Sequence, residues 1–242
     1  MENVKSFFDY DSLMFFGRVN ASISHELKNI MAIISETAGL LSDLAGMAST
    51  GTAVDRDMLK TSADSIMEEV ERGFTTIRQM NRFSHSVDAP FVSTDLMALL
   101  DLVCHLSNYL AFSGKTHLVH WDGKPPSVHT CPLILQAIVY EILVQHFKQA
   151  GPNAELEVKV ASQAESGWRI IFTGFSVSNF EVFPDDQLKK LADRIAVSIE
   201  GNPATEQLEL QIPLTIQPGS GSGEATDWIN GGETPSIGVE TT

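Results

Sequence analysis

Residues 12–45 constrain the fold of this 242-residue chain more than any other segment. Apolar residues recur there at Phe16, Ile23, Leu27, Ile30, Ile34, Leu41 and Leu44, with Asn20 and Thr37 at the remaining seam positions. The spacing alternates between three and four, which is the seam of a helix buried along one side. At ~1.5 Å per residue this helix is roughly 50 Å long. It ends near Gly46 and Met47, before the turn residues Ser49, Thr50, Gly51 and Thr52. A second helix is expected from about Asp55 to Ser84, with Leu59, Ala63, Ile66, Val70, Ile77 and Met80 on its seam. Two long helices joined by a short loop make an antiparallel hairpin. A lone hairpin leaves a wide apolar stripe uncovered, so a second copy is expected to complete a four-helix bundle.

The pattern changes after Asp88, Ala89 and Pro90. Thr94 is placed to cap a helix over 95–112, which closes at Gly114. Residues 116–121 alternate like a strand, and Thr130 and Pro132 open an apolar helix through Ala150, stopped by Gly151 and Pro152. Residues 155–161 and 168–173 predict two strands around a Ser-Gly turn. A helix from about Asp185 to Ile199, ended by Gly201, and a strand over 207–213 complete the expectation. The fold class is α+β: a helical hairpin over 1–88, then an α/β sandwich over 89–216 with its helices on one sheet face. Residues 217–242 are rich in Gly, Ser and Thr, carry acids but no base, and predict a disordered acidic tail in which Trp228 and Ile229 are the only docking candidates.

The net charge is −15, from 31 acids and 16 bases, and no segment forms a basic patch. That argues against a nucleic-acid duplex and against docking on anionic lipid. No uninterrupted apolar run nears the ~18 residues of a membrane span, and the N-terminus lacks a cleavage-site pattern. Cys104 and Cys131 sit in apolar surroundings with no CxxC pair, as expected of buried thiols in a reducing cytoplasm.

The chemistry concentrates in residues 23–29, Ile-Ser-His-Glu-Leu-Lys-Asn. Ile23 and Leu27 lie on the seam, and His25 is about 200° from each, so its imidazole points away from the bundle axis. Asn29 lies one turn below on the same face, and Glu26 is beside it on the rim. Imidazole ordinarily titrates near ~6.5, so its neutral ring is a nucleophile for phosphoryl transfer at neutral pH. A nearby carboxylate can accept the other ring N–H and ease the build-up of imidazolium charge. An amide at i+4 can orient a water.

Ser-His-Glu-Leu-Lys-Asn, set in Gly-Arg-Val-Asn-Ala-Ser-Ile-Ser-His-Glu-Leu-Lys-Asn-Ile-Met-Ala-Ile-Ile, resembles the phosphoacceptor box of two-component histidine kinases, and the likeness extends over residues 12–86. It implies that His25 accepts the phosphoryl group, that Glu26 is its acid/base partner, and that Asn29 serves dephosphorylation of a response regulator. The family usually has Pro where Ile30 stands, which bears on helix bending rather than chemistry. Residues 91–216 resemble the family's ATP-binding domain in element order only. Glu141 matches its nucleotide helix, but Gln145 replaces the Asn that holds magnesium, and Thr173 replaces the Asp that grips adenine. A single Gly174 follows, and there is no glycine between Val177 and Leu188. A triphosphate needs clustered backbone N–H donors and a metal ligand. The expectation is a retained fold that has lost ATP, with Glu141, Gln145 and Thr173 as vestiges.

An intact histidine hairpin with a degenerate ATPase-like domain resembles bacterial histidine phosphotransferases. These dimeric relays exchange phosphoryl groups with receiver-domain aspartates and have no cofactor of their own, because the receiver supplies Mg²⁺. Two rivals remain open. One is a divergent histidine kinase using Glu141 and Gln145; the other is a regulatory dimer or a response-regulator phosphatase acting through Asn29. Elsewhere, His117 and His120 are expected on opposite faces of a strand, which disfavours a metal site. His146 is expected in the core or on the surface without a ligand role. Met31 and Ile34 are candidates for a groove below His25. Phe7, Phe8 and Tyr10 are expected to staple the first helix, and input is expected from another protein because only about 11 residues precede the hairpin.

Overall fold

The computed structural model describes residues 10–51, 53–107, 114–151, 153–163, 167–176, 180 and 183–214. Helices α1 (Tyr10–Ser49) and α2 (Arg56–Ser84) form the hairpin. Asp55 caps α2 by accepting the Asp57 N–H at 2.9 Å. On α1 the buried positions are Ser12, Phe15, Val19, Ile23, Ile30 and Leu44. Of the expected seam, Ile23, Ile30 and Leu44 are therefore buried, while Phe16, Leu27, Ile34 and Leu41 are half-covered. The face that α2 turns inward carries Ser62, Gly73, Thr76, Gln79 and Phe83. This corrects the expected α2 seam: Ala63 and Ile77 are exposed, and Leu59, Ile66, Val70 and Met80 are only half-covered. Apolarity alone merged two faces of α2, one packed on α1 and one open.

The open end of the hairpin docks on the second domain through aromatic rings. Phe15 lies edge-on to Phe83 and to Tyr140, with centroids 5.6 and 5.3 Å apart, and Phe16 stacks on Phe83 at 5.1 Å. Phe15, Val19, Ile23 and Phe83 thus belong to the same buried cluster as the sandwich core. A short 3-10 turn, His85–Val87, leads out of α2.

The second domain begins with β1 (Val92–Asp95), followed by α3 (Leu96–Ser107), β2 (Lys115–Leu118), β3 (Ser127–Thr130) and α4 (Pro132–Ala150). It continues with β4 (Glu155–Ser162), β5 (Gly167–Thr173), α5 (Asp186–Arg194), β6 (Ser198–Asn202) and β7 (Gln207–Pro213). Five strands form a sheet in the order β2-β4-β5-β7-β6; β2 runs parallel to β4 and the other pairs are antiparallel. Leu156, Val158, Val160, Ile170, Phe172, Leu208, Leu210 and Ile212 alternate onto the buried side. The nearly all-apolar α4 runs through the middle of the core, with Pro132 at its first turn and Gly151 (φ 81°) after its last.

Four features differ from the expectation. β1 and β3 pair antiparallel as a separate two-stranded sheet that the pattern did not show. Thr94 lies in β1, and the cap of α3 is instead Asp95, whose carboxylate accepts the Ala98 N–H at 3.0 Å. The helix expected to reach Ile199 stops at Arg194, because Ala196 takes a φ of 50° and turns the chain into β6, paired along β7. The strand expected over 116–121 is β2, ending at Leu118. The expected acidic tail, with Trp228 and Ile229, and the stapling Phe7 and Phe8 lie outside the described residues, while Tyr10 is exposed.

One stretch of α1 is long and apolar enough, at a mean hydropathy of 1.3, to cross a membrane by length and composition. Its hairpin partner argues otherwise. Lys60, Asp64, Glu68, Glu71, Arg72 and Arg78 line α2, and a spanning hairpin would carry them into hydrocarbon.

Candidate phosphoacceptor site

His25 is exposed midway along the docked half of α1, as its position off the seam predicts. The Asn29 amide lies 3.3 Å from His25 Nδ1, spanning one helical turn. No bond to His25 Nε2 is made among the described residues, so one ring nitrogen is held and the other faces solvent. With the Asn29 nitrogen toward the ring, the amide donates to Nδ1 and the ring proton is on Nε2. Turned over, the same amide presents Oδ1 to an Nδ1–H, and Nε2 then carries the lone pair. The i, i+4 amide therefore suits either tautomer.

Glu26 is oriented differently. Its Oε1 accepts from Arg72 Nε at 2.9 Å and from Arg72 Nη2. Arg72 Nη1 also donates to both Glu69 oxygens at 3.0 Å. The carboxylate expected on the imidazole is thus bound to the second helix, with 13% of its side chain exposed against 43% for Arg72. Partial burial pulls the Arg72 guanidinium down, but the Glu26 hydrogen bond and the Glu26 and Glu69 charges outweigh it and hold its pKa above the ordinary value. Arg72 was not singled out from the sequence. The available signal was antiparallel counting: through the turn near Gly51, Arg72 falls within about one turn of the level of Glu26.

Glu141, Gln145 and Thr173, expected as vestiges, make no hydrogen bond to His25 among the described residues. Glu141, on α4, is ion-paired with Arg18 of α1, two helical turns above His25. Arg18, Glu141, Gln145 and Lys148 line a cavity of about 370 Å³, with Tyr10 and Met14 lining it from the hairpin side. Thr173, at the end of β5, receives a hydrogen bond from Gln207 Nε2 at 3.3 Å. Of the three positions, Glu141 is a carboxylate paired with a cation, Gln145 an amide and Thr173 a hydroxyl, while Asp11 and Asp185 also line the cavity. Residues 177–179, 181 and 182, where a lid would begin, lie outside the described residues.

Burial pushes the thiols of Cys104 and Cys131 up to about 12 and about 11, so neither is a ready nucleophile. His146 is buried beside Phe147 and Phe175. His117 and His120 are exposed, and no group of three or more metal-ligating side chains occurs among the described residues. Met31 is exposed and Ile34 half-covered below His25.

Solved structures similar to this chain include histidine kinases and their catalytic or ATP-binding domains. The ATP-binding domain of PrrB from Mycobacterium tuberculosis is 21% identical, with 52% of this chain and 98% of that one covered and a TM-score of 0.42. AdeS from Acinetobacter baumannii is 12% identical over 78% of this chain and 98% of that one, with a TM-score of 0.38. ThkA in complex with the response regulator TrrA is 16% identical over 85% and 64%, with a TM-score of 0.43. No protein-family profile and no curated protein matches the chain.

Proposed function

We propose that this chain is a histidine phosphotransfer protein of the two-component type, cytoplasmic and homodimeric, that exchanges phosphoryl groups between His25 and receiver-domain aspartates. The observation that carries the proposal is the imidazole itself: solvent-facing, with Nδ1 held by Asn29 and Nε2 open. In the transfer, the Nε2 lone pair attacks the phosphorus of a receiver's aspartyl phosphate. The P–O bond breaks, its electron pair stays on the aspartate, and the Nδ1 proton remains on the ring, held by the Asn29 carbonyl oxygen. The receiver brings both the aspartate and Mg²⁺, so the hairpin contributes position and a hydrogen bond. Pairing of Glu141 with Arg18 supports a second domain that does not use ATP.

Incubation of the full-length protein with receiver domains carrying labelled phosphoryl groups tests this. Label should move onto the wild type and back, and His25→Ala should take up none. Failure across a panel of receivers, or uptake by His25→Ala, overturns the proposal. Autophosphorylation from ATP establishes the kinase instead. Asn29 contact with the ring also favours a phosphatase component, in which Asn29→Ala keeps the receiver phosphorylated for longer.

A further inference from the structure

We propose that Arg72 is a positioning residue that withholds Glu26 from His25 and leaves the ring's Nδ1 to the neutral amide of Asn29. The inference rests on the phosphotransfer proposal and concerns the control of the same imidazole.

Glu26 follows His25 directly in the chain and lies 100° further around α1, on the side toward α2. Arg72 reaches it from the other helix with two guanidinium nitrogens while its Nη1 is fixed by Glu69. A guanidinium held at two points orients a carboxylate more tightly than an ammonium would. Other charged groups on nearby turns are Lys28, one turn below His25, and on α2 Glu71, Arg78, bonded to Thr75, and Arg82, paired with Asp101; Arg18 is paired with Glu141 of α4. When Nε2 attacks phosphorus, positive charge builds on the ring. An amide at Nδ1 accepts the N–H but carries no charge to offset it, whereas a carboxylate does both. Release of Glu26 from Arg72 would therefore convert a site held by an amide into one held by a carboxylate, with no change in His25 or Asn29. Arg72 makes no hydrogen bond to His25 among the described residues, and the proposed control passes through Glu26.

The test titrates His25 by nitrogen NMR in the full-length, histidine-labelled protein, with His25→Ala to assign the resonance. Glu26→Gln should leave the His25 midpoint within about 0.3 pH unit, because Glu26 is not on the ring; Arg72→Gln should raise it by about one pH unit. Arg72→Gln combined with Glu26→Gln should cancel the rise, and Arg72→Lys, which keeps the charge but loses the two-point hold, should fall between. Phosphoryl uptake from a receiver should become roughly three- to tenfold faster in Arg72→Gln, with the gain again lost in the double variant. Circular dichroism confirms that each variant folds. A large drop in the midpoint on Glu26→Gln alone, an unchanged midpoint in Arg72→Gln, or a rise that survives in the double variant overturns the inference. A wild type that takes up no phosphoryl group sinks the phosphotransfer proposal, while the midpoints still decide the role of Arg72.

Discussion

His146 is a histidine the phosphoryl chemistry does not use. It is 1% exposed, and neither ring nitrogen has a partner in good hydrogen-bond geometry, although the Glu155 backbone is near enough to act on it. Burial lowers its pKa; the Glu155 backbone acts in the opposite direction and is outweighed. The sign follows directly. Above the unfolded value of ~6.5 both states are neutral and His146 contributes nothing to pH dependence; as pH falls below it, the unfolded chain takes up a proton that the folded chain refuses, and stability drops. The slope is at most about 1.4 kcal/mol per pH unit, down to the folded pKa. His146→Leu should be at least as stable as wild type at pH 7, since it removes unpaired buried polar atoms, and should lose less stability between pH 7 and 5 in urea melts. An equal loss in both proteins would mean that other groups govern the acid limb. The sequence placed His146 in the core or at the surface and could not choose, because α4 is apolar on almost every side and offers no polar face to read.

At the scale of elements, the junction of hairpin and sandwich is held by two kinds of contact of unequal weight. Arg18–Glu141 is an ion pair in which half of the arginine side chain is exposed, and such pairs contribute roughly 0–1 kcal/mol. Phe83 is fully buried between the rings of Phe15 and Phe16, and truncating a buried phenylalanine costs about 3–5 kcal/mol. Phe83→Ala should therefore destabilise the protein several-fold more than Arg18→Ala, as measured by chemical unfolding. Comparable losses would show that charge sets the docking. This junction was only partly legible. The heptad spacing exposed Ile23 and Ile30, because periodicity reports a continuous seam. Phe15 leaves that seam to meet Tyr140, far along the chain, and Val19 joins the same buried cluster; no local pattern encodes such contacts. Likewise, β1 and β3 are four residues each and pair only with one another across α3 and β2, so neither stands out by itself. His25 and Asn29 were legible because one helical turn fixes both; Arg72 was not, because its place depends on the register between two helices.

For the whole molecule, the deciding feature is the turn-side half of the hairpin, from about Ile30 on α1 and up to about Phe74 on α2, which the sandwich does not cover. There α1 exposes Ile33, Leu40 and Met47 at intervals of seven, and α2 exposes Met67 and Phe74 at the same interval, with Met58 near the turn. Apolar side chains repeated every seven residues on neighbouring helices form a coiled-coil face, and an isolated hairpin has nothing to bury it against. In the proposed homodimer a second hairpin would supply that surface and complete a four-helix bundle. The amphipathic pattern that failed to identify the α2 face packed on α1 is explained in the same way, because the apolar residues serve the outer contact and the small ones the inner. Leu40→Glu with Phe74→Glu should give a monomer at micromolar concentration in sedimentation equilibrium where the wild type is dimeric, with helix content retained near the sandwich junction. Uptake of phosphoryl label at His25 separates two arrangements of that dimer. If the open half only holds the copies together, the monomeric variant still accepts phosphoryl groups; if the partner copy builds part of the receiver's docking surface, uptake falls with dimerisation. A wild type that sediments as a monomer at every concentration would remove the dimer from the proposal and leave Phe74 and Leu40 without a partner.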